Sequence, residues 1–157
     1  MTGRIDVQQY DLGKALFERL VDLWNGEVDF VRAEEFIAED FIVHSAQIAR
    51  FLGRPDSTQV TSRQELLEWI SATRAMLHDL HFTTGPGPIR DGDFVAGGYT
   101  ATAVYAGGAP RANAAPGTEL RYTGISIVRM ENDKLAEYWV LSDALGLLSQ
   151  LEAVPTS

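Results

Sequence analysis

The 157-residue chain carries 22 Asp and Glu against 13 Lys and Arg, a net charge of -9 with histidines neutral, and it has no cysteine. That balance excludes the basic stripe that nucleic acids and anionic membranes require, and the missing thiols exclude disulfides, cysteine nucleophiles and cysteine-based zinc sites. With 45% hydrophobic and 22% charged residues, a single domain over residues 1–157 with a sizeable core is expected, its tails at 1–8 and 152–157 flexible.

Most of the excess acid lies in residues 1–40, where it belongs on the solvent faces of early helices and serves solubility. No window approaches the roughly 18 apolar residues of a spanning helix, and residues 1–6 lack the apolar run of a secretory leader. A soluble, cytoplasmic protein is the expectation.

In chain order, Leu12, Leu16, Leu20 and Leu23, flanked by Phe17, Val21 and Trp24, recur at helical spacing and predict a helix over 8–25 that stops at Gly26. Asp29 reads as the N-cap of a short second helix with Phe30, Ala33, Phe36 and Ile37 turned inward. Phe41, Ile42 and Val43 form a β-like run ending at His44 and Ser45. Residues 46–61 read as an irregular connection. Ser62 and Glu65 have the spacing of a capping box, opening a helix to about His78 with Leu66, Ile70, Thr73 and Leu77 in one stripe that Trp69 and Met76 broaden.

The period then changes to two. Leu80, Phe82 and Thr84 alternate with His81 and Thr83 until Gly85-Pro86-Gly87-Pro88 ends the strand. Asp91-Gly92 marks a hairpin turn into a long strand over 94–105, with a bulge expected at Gly97-Gly98. Residues 106–118 read as a mobile loop. Strands over 119–130 and 135–141 flank a tight turn at 131–134, and an amphipathic helix over 144–151 closes the chain. Helices followed by an antiparallel meander predict an α+β fold, three or four strands bending into a half-open cone around a cavity.

Dinucleotide, nucleotide, serine-hydrolase and zincin signatures are all missing. His78 and His81 bracket Asp79 at metal-ligand spacing, but they fall on different predicted elements and no third ligand is visible, so a histidine at a helix end is the preferred reading and no metal is expected. If the stretch 137–143 is read as a strand, Trp139, Leu141 and Asp143 share one face. If that face lines the cavity, Asp143 is placed for acid/base work; otherwise it is the N-cap of the last helix. His44 either carries protons in the same cavity or is a satisfied histidine at a strand end. Tyr99, Tyr105 and Tyr122 can orient a carbonyl ligand or simply fill the core, and Trp24 carries the same two readings.

Gly124-Ile125-Ser126-Ile127-Val128-Arg129, the turn at Asn132-Asp133-Lys134, Leu135-Ala136-Glu137-Tyr138-Trp139 and the run Asp143-Ala144-Leu145-Gly146-Leu147-Leu148 together resemble the carboxy-terminal signature of SnoaL-like polyketide cyclases. Leu23-Trp24-Asn25-Gly26 and Asp40-Phe41-Ile42-Val43-His44-Ser45 resemble that family's opening helices and histidine, so the likeness spans roughly residues 10–151. It implies a nuclear-transport-factor-2-like cone, a bent antiparallel sheet covered by N-terminal helices around an apolar pocket, usually dimeric through the sheet. It also implies cofactor-independent chemistry on an apolar or aromatic small molecule. Asp143 would be the acid/base and His44 its catalytic companion. Trp24, Phe41, His81 and Trp139 would join the three tyrosines around the substrate. The implied reaction is an intramolecular aldol condensation of a polyketide-derived compound, as in antibiotic biosynthesis. A non-catalytic small-molecule-binding protein, or an isomerase, hydratase or hydroxylation-assisting relative, is the alternative. Tyr138 stands where many members have histidine, and residues 106–108 replace a polar segment usual in the family.

Overall fold

The computed structural model describes residues 7–44 and 60–153, with side chains from residue 12 onward. Residues 1–6 and 154–157 of the expected tails, and all but the end of the connection expected over 46–61, lie outside the described residues.

Helix α1 (Val7–Trp24) turns Leu16, Phe17, Leu20, Leu23 and Trp24 into the core, the stripe that its spacing calls for. The short second helix is a 3-10 turn over Phe30–Glu35, capped by Asp29, whose carboxylate accepts the Val31 N–H at 3.2 Å. Ile37 is buried as expected but already opens strand β1 (Ile37–His44). Helix α2 (Arg63–Met76) starts at Ser62, whose hydroxyl accepts the Glu65 N–H at 3.1 Å. Glu65 reaches back one residue further than a standard capping box and accepts the Thr61 N–H at 2.8 Å. The helix stops at Met76 because Leu77 and His78 pair with Tyr105 and Val104 across the sheet. Tertiary pairing there overrides helical spacing.

Strands β2 (Leu77–Thr84), β3 (Ile89–Asp91), β4 (Phe94–Tyr105), β5 (Glu119–Glu131) and β6 (Lys134–Ser142) complete a curved, unclosed sheet in the order β1-β6-β5-β4-β2, with β3 on β4. The meander is antiparallel, but β1 lies parallel to β6, so the sheet is mixed rather than wholly antiparallel. Such a parallel partner can only be joined by a crossover, and α2 sits in that crossover. The β5–β6 turn carries positive φ at Asn132 (51°) and Asp133 (62°), residues that tolerate this region without glycine.

The bulge expected at Gly97-Gly98 is not there: both pair in unbroken register with Ser126 and Ile125. These glycines instead allow close approach. A Cβ on Gly97 would lie 2.8 Å from the Phe17 ring, and one on Gly98 would lie 2.8 Å from the Pro86 ring and 2.9 Å from the Gly85 carbonyl oxygen. Residues 106–118, expected to be mobile, are tied down. Asn113 and Ala114 both donate to the Leu151 carbonyl at 3.1 Å, and Gly117 donates to Tyr105 at 2.7 Å. Helix α3 (Ala144–Gln150) docks through the Gln150 amide, which exchanges two hydrogen bonds with the Arg121 backbone at 2.8 and 2.7 Å, as a neighbouring strand would.

Gly98→Ala is expected to lower the stability of the fold by about 1–3 kcal/mol, since the clash is with backbone and a proline ring that cannot step aside. Urea unfolding measures it; an unchanged midpoint would contradict the close-approach account.

Candidate functional site in the cone

Strand β6 decides which chemistry faces inward. Leu135 pairs with Met130, but Glu137 pairs with the adjacent Arg129, leaving Ala136 as an extra residue. This bulge reverses the alternation beyond it. Tyr138, Val140 and Ser142 therefore turn to the interior, where Tyr138 is 5% exposed, while Leu141 on the opposite face is 61% exposed.

The helices and sheet meet at an aromatic cavity lined by Trp24, Trp69, Thr73, Phe82 and Tyr99, and by Tyr122, Tyr138 and Ser142. Each wall is held in place from outside. Arg74 on α2 donates to the Trp24 carbonyl at 2.7 Å and the Leu80 carbonyl at 3.2 Å, joining the end of α1 to β2. The Asn25 side chain accepts the Phe82 N–H at 2.7 Å and donates to the Phe82 carbonyl at 3.1 Å, fixing the strand that carries the Phe82 ring. Trp24 then meets Trp69 edge to face at 4.8 Å and Phe82 at 5.5 Å, and Phe82 meets Tyr99 at 5.2 Å. Such pairs add specificity of orientation to their burial.

Tyr99, Gly124 and Ser142 lie in register across β4, β5 and β6. Gly124 is the only residue type that fits between the other two, because a Cβ there would overlap the Tyr99 hydroxyl. The Tyr99 phenol crosses the glycine and hydrogen-bonds the Ser142 hydroxyl. Tyr138 and Ser126 form a second hydroxyl pair at 3.4 Å.

The cavity leaves about 30 Å³ free, and an adjoining lobe behind Phe82, bordered by Phe17, Leu20 and Ser126, leaves about 20 Å³. Each has room for roughly one or two waters. Burial is the leading cause that pushes the Tyr99, Tyr122 and Tyr138 phenols above their ordinary range. They are neutral at physiological pH and do not serve as bases there. Trp24 Nε1 lies close enough to favour Tyr138 ionisation, yet neither it nor Trp69 Nε1 makes a hydrogen bond of acceptable geometry. No carboxylate or imidazole is among the lining residues.

Of the residues expected at the site, the structure brings Trp24, Tyr99 and Tyr122 together. Phe41 is buried behind the wall, 6.3 Å from the Tyr138 ring. Tyr105 is buried at the end of β4, where its hydroxyl accepts the Ala109 N–H at 2.9 Å. His44 and Trp139 lie on the outer face of the sheet, stacked on each other at 4.9 Å, because the Ala136 bulge turns Trp139 outward and His44 is its register partner. His81 is exposed on β2, whose inward positions there are Leu80 and Phe82. Asp143 is exposed and accepts the Gly146 N–H at 2.9 Å as the α3 cap. Trp69, Phe82, Tyr138 and Ser142 complete the cavity without having been singled out for it. The apolar stripe of α2 and the period-two run of β2 carried a signal for Trp69 and Phe82, whereas Tyr138 and Ser142 depend on the bulge.

The outer face holds its own polar chain. His44 Nε2 lies 2.7 Å from Glu137, whose other oxygen accepts from Arg129 at 2.8 Å. The hydrogen bond with His44 is the largest cause that holds the Glu137 carboxyl below its ordinary 4.5, with Arg129 adding to it. A carboxylate lowered in the folded state stabilises above its ordinary range, and that contribution is lost as pH falls through the lowered value. Glu137→Gln is therefore expected to be less stable than the parent at pH 7, with the difference closing below about pH 4.5. Unfolding curves of both proteins between pH 7 and 3 measure this; a gap that persists unchanged at pH 3 would contradict it.

Among the described residues no three His, Asp or Glu side chains are grouped to hold a metal ion, and no helix is long and apolar enough to cross a membrane. No curated protein matches the chain. Solved structures do. IdmH from Streptomyces antibioticus, provisionally described as a polyketide cyclase, superposes with a TM-score of 0.73 at 22% identity, over 89% of this chain and 98% of its own. AclR from Streptomyces galilaeus, provisionally described as a hydroxylase, gives 0.71 at 20% identity over 92% and 87%. A Catenulispora acidiphila protein with a ketosteroid isomerase-like fold, solved in complex with trimethylamine, gives 0.67 at 16% identity over 89% and 97%. At these identities the likeness is one of fold. The model of the SnoaL-like domain matches residues 17–138, and the chain belongs to that family.

Proposed function

We propose that this chain binds a compact, apolar or aromatic small molecule in the inner cavity. The observation that carries this reading is a wall of six aromatic side chains with no ionised group, closed down to about 30 Å³. Ligand pockets of ordinary size run to about 300–1,000 Å³, so entry requires the rings to part, and a single ring is better matched than a fused polycycle. Protein purified without denaturants and extracted into organic solvent is expected to release a small neutral compound, identified by mass spectrometry. Release of only charged, phosphorylated compounds would contradict the reading.

A cyclase reading of the same site has one observation in its favour. Asp143 directly follows the cavity-lining Ser142, and its exposed carboxylate accepts the Gly146 N–H. In that reaction Asp143 takes a proton from the carbon between two carbonyls, the carbanion forms a carbon–carbon bond to a third carbonyl of the same molecule, and the resulting alkoxide receives a proton from Asp143. No cofactor enters the balance. Asn caps a helix as well as Asp, so Asp143→Asn is expected to fold normally while turnover of a linear poly-β-ketone falls at least about 10²-fold. Unchanged turnover would exclude Asp143 as the acid/base.

The outer face supports pairing with a second copy of the chain. Ile89, Phe94, Ile125, Ile127 and Leu141 are exposed on it by 71%, 46%, 58%, 38% and 61%, and grouped exposed apolar side chains of this kind mark interaction surfaces. Light scattering is expected to give twice the chain mass, and Ile125→Glu the mass of one chain; a parent of single-chain mass would contradict the pairing.

A further inference from the structure

Among the described residues, two buried side-chain nitrogens make no hydrogen bond of good geometry within the protein: Nε1 of Trp24, which lies near the Tyr138 hydroxyl, and Nε1 of Trp69. Both residues are 6% exposed, both border the same cavity, and their rings touch edge to face. Leaving a buried donor unpaired is costly, and native interiors seldom do it without a functional reason. Two such donors from different helices at one cavity is a specific arrangement. Of the hydroxyls around them, Thr73 donates to the Trp69 carbonyl at 2.8 Å, Tyr99 pairs with Ser142 and Tyr138 pairs with Ser126, and none of the lining hydroxyls accepts from either indole in good geometry.

An indole N–H donates and cannot accept, so the group that satisfies it must present lone pairs. No cation borders the cavity to balance a carboxylate or phosphate, and burying an unpaired anion there would cost far more than two neutral hydrogen bonds return. We propose that Trp24 and Trp69 form a recognition pair for a neutral acceptor oxygen, the carbonyl of a ketone, quinone or lactone, on the ligand of this cavity. The proposal rests on the cavity-binding reading above and adds what selects the ligand. A carbonyl oxygen suits the pair because its two lone pairs can accept from both indoles at once.

Cyclohexanone and methylenecyclohexane test it, since they share a shape and differ in the acceptor oxygen. The protein has three tryptophans, so ¹⁵N-indole spectra separate Trp24 and Trp69 from Trp139 on the outer face. Cyclohexanone is expected to move the Trp24 and Trp69 N–H signals downfield and leave Trp139 in place. Methylenecyclohexane should enter the cavity, shifting the Phe82 and Tyr122 ring signals, without that downfield change. Trp24→Phe and Trp69→Phe should each weaken cyclohexanone by about two- to tenfold, the worth of one neutral hydrogen bond, and alter methylenecyclohexane by less than about twofold. If either variant fails to fold, the parent spectra decide. Cyclohexanone that shifts Phe82 and Tyr122 but neither indole, or variants that weaken both compounds equally, would overturn the proposal and leave cavity binding standing. No shift at Phe82 or Tyr122 with either compound would overturn both.

Discussion

The extra residue at Ala136 is the constraint from which the rest of the site follows. Side chains in a strand alternate between faces, so one inserted residue exchanges the two faces for everything beyond it. Leu135 lies inside with Met130, and unbroken alternation from Leu135 would carry Glu137, Trp139 and Leu141 inward as well. The bulge sends those three out and brings Tyr138, Val140 and Ser142 in. The cavity consequently acquires phenol and alcohol groups, and the His44–Glu137–Arg129 chain is left on the opposite surface.

Each face is internally consistent once that phase is set. Inside, Gly124 gives the Tyr99 phenol a path across β5 to Ser142, and this row locks three strands at one end of the cone. The helices supply the remaining wall because Arg74 and Asn25 tie the end of α1 to β2. Outside, the charged chain shares its face of the sheet with exposed isoleucines, Phe94 and Trp139. Apolar surface beside paired charges suits a protein partner better than open water. On the proposed reading, ligand chemistry and association occupy opposite faces of one sheet.

Much of the fold was legible from residues alone. The caps at Asp29 and Ser62, the hairpin turn at Asp91-Gly92, the 131–134 turn and the final helix all rest on local chemistry, and all are present. What local chemistry does not encode was misread. Gly97-Gly98 looked like a bulge, but its glycines serve the approach of Phe17 and the Gly85-Pro86 segment from far along the chain. Helix α2 looked longer than it is because Leu77 continues its stripe, whereas the sheet claims that residue. The parallel pairing of β1 with β6 joins segments some ninety residues apart and leaves no mark in either. Ala136, the true bulge, has nothing in its identity to announce it. For that reason Asp143, His44 and Trp139 pointed to the pocket by spacing and resemblance, while Tyr138 was noted only as a departure from the family pattern and Ser142 passed without notice.

The central claim is that small apolar ligands enter the inner cavity and that the outer face is a surface for association. A crystal structure of the protein equilibrated with bromobenzene tests it most directly, because the anomalous signal of bromine locates the ring without reference to its neighbours. The account predicts a peak among Trp24, Trp69, Phe82 and Tyr122, with those rings parted to admit it. A peak confined to the outer face beside Phe94, Ile127 and Trp139, with the inner rings unmoved, would contradict it.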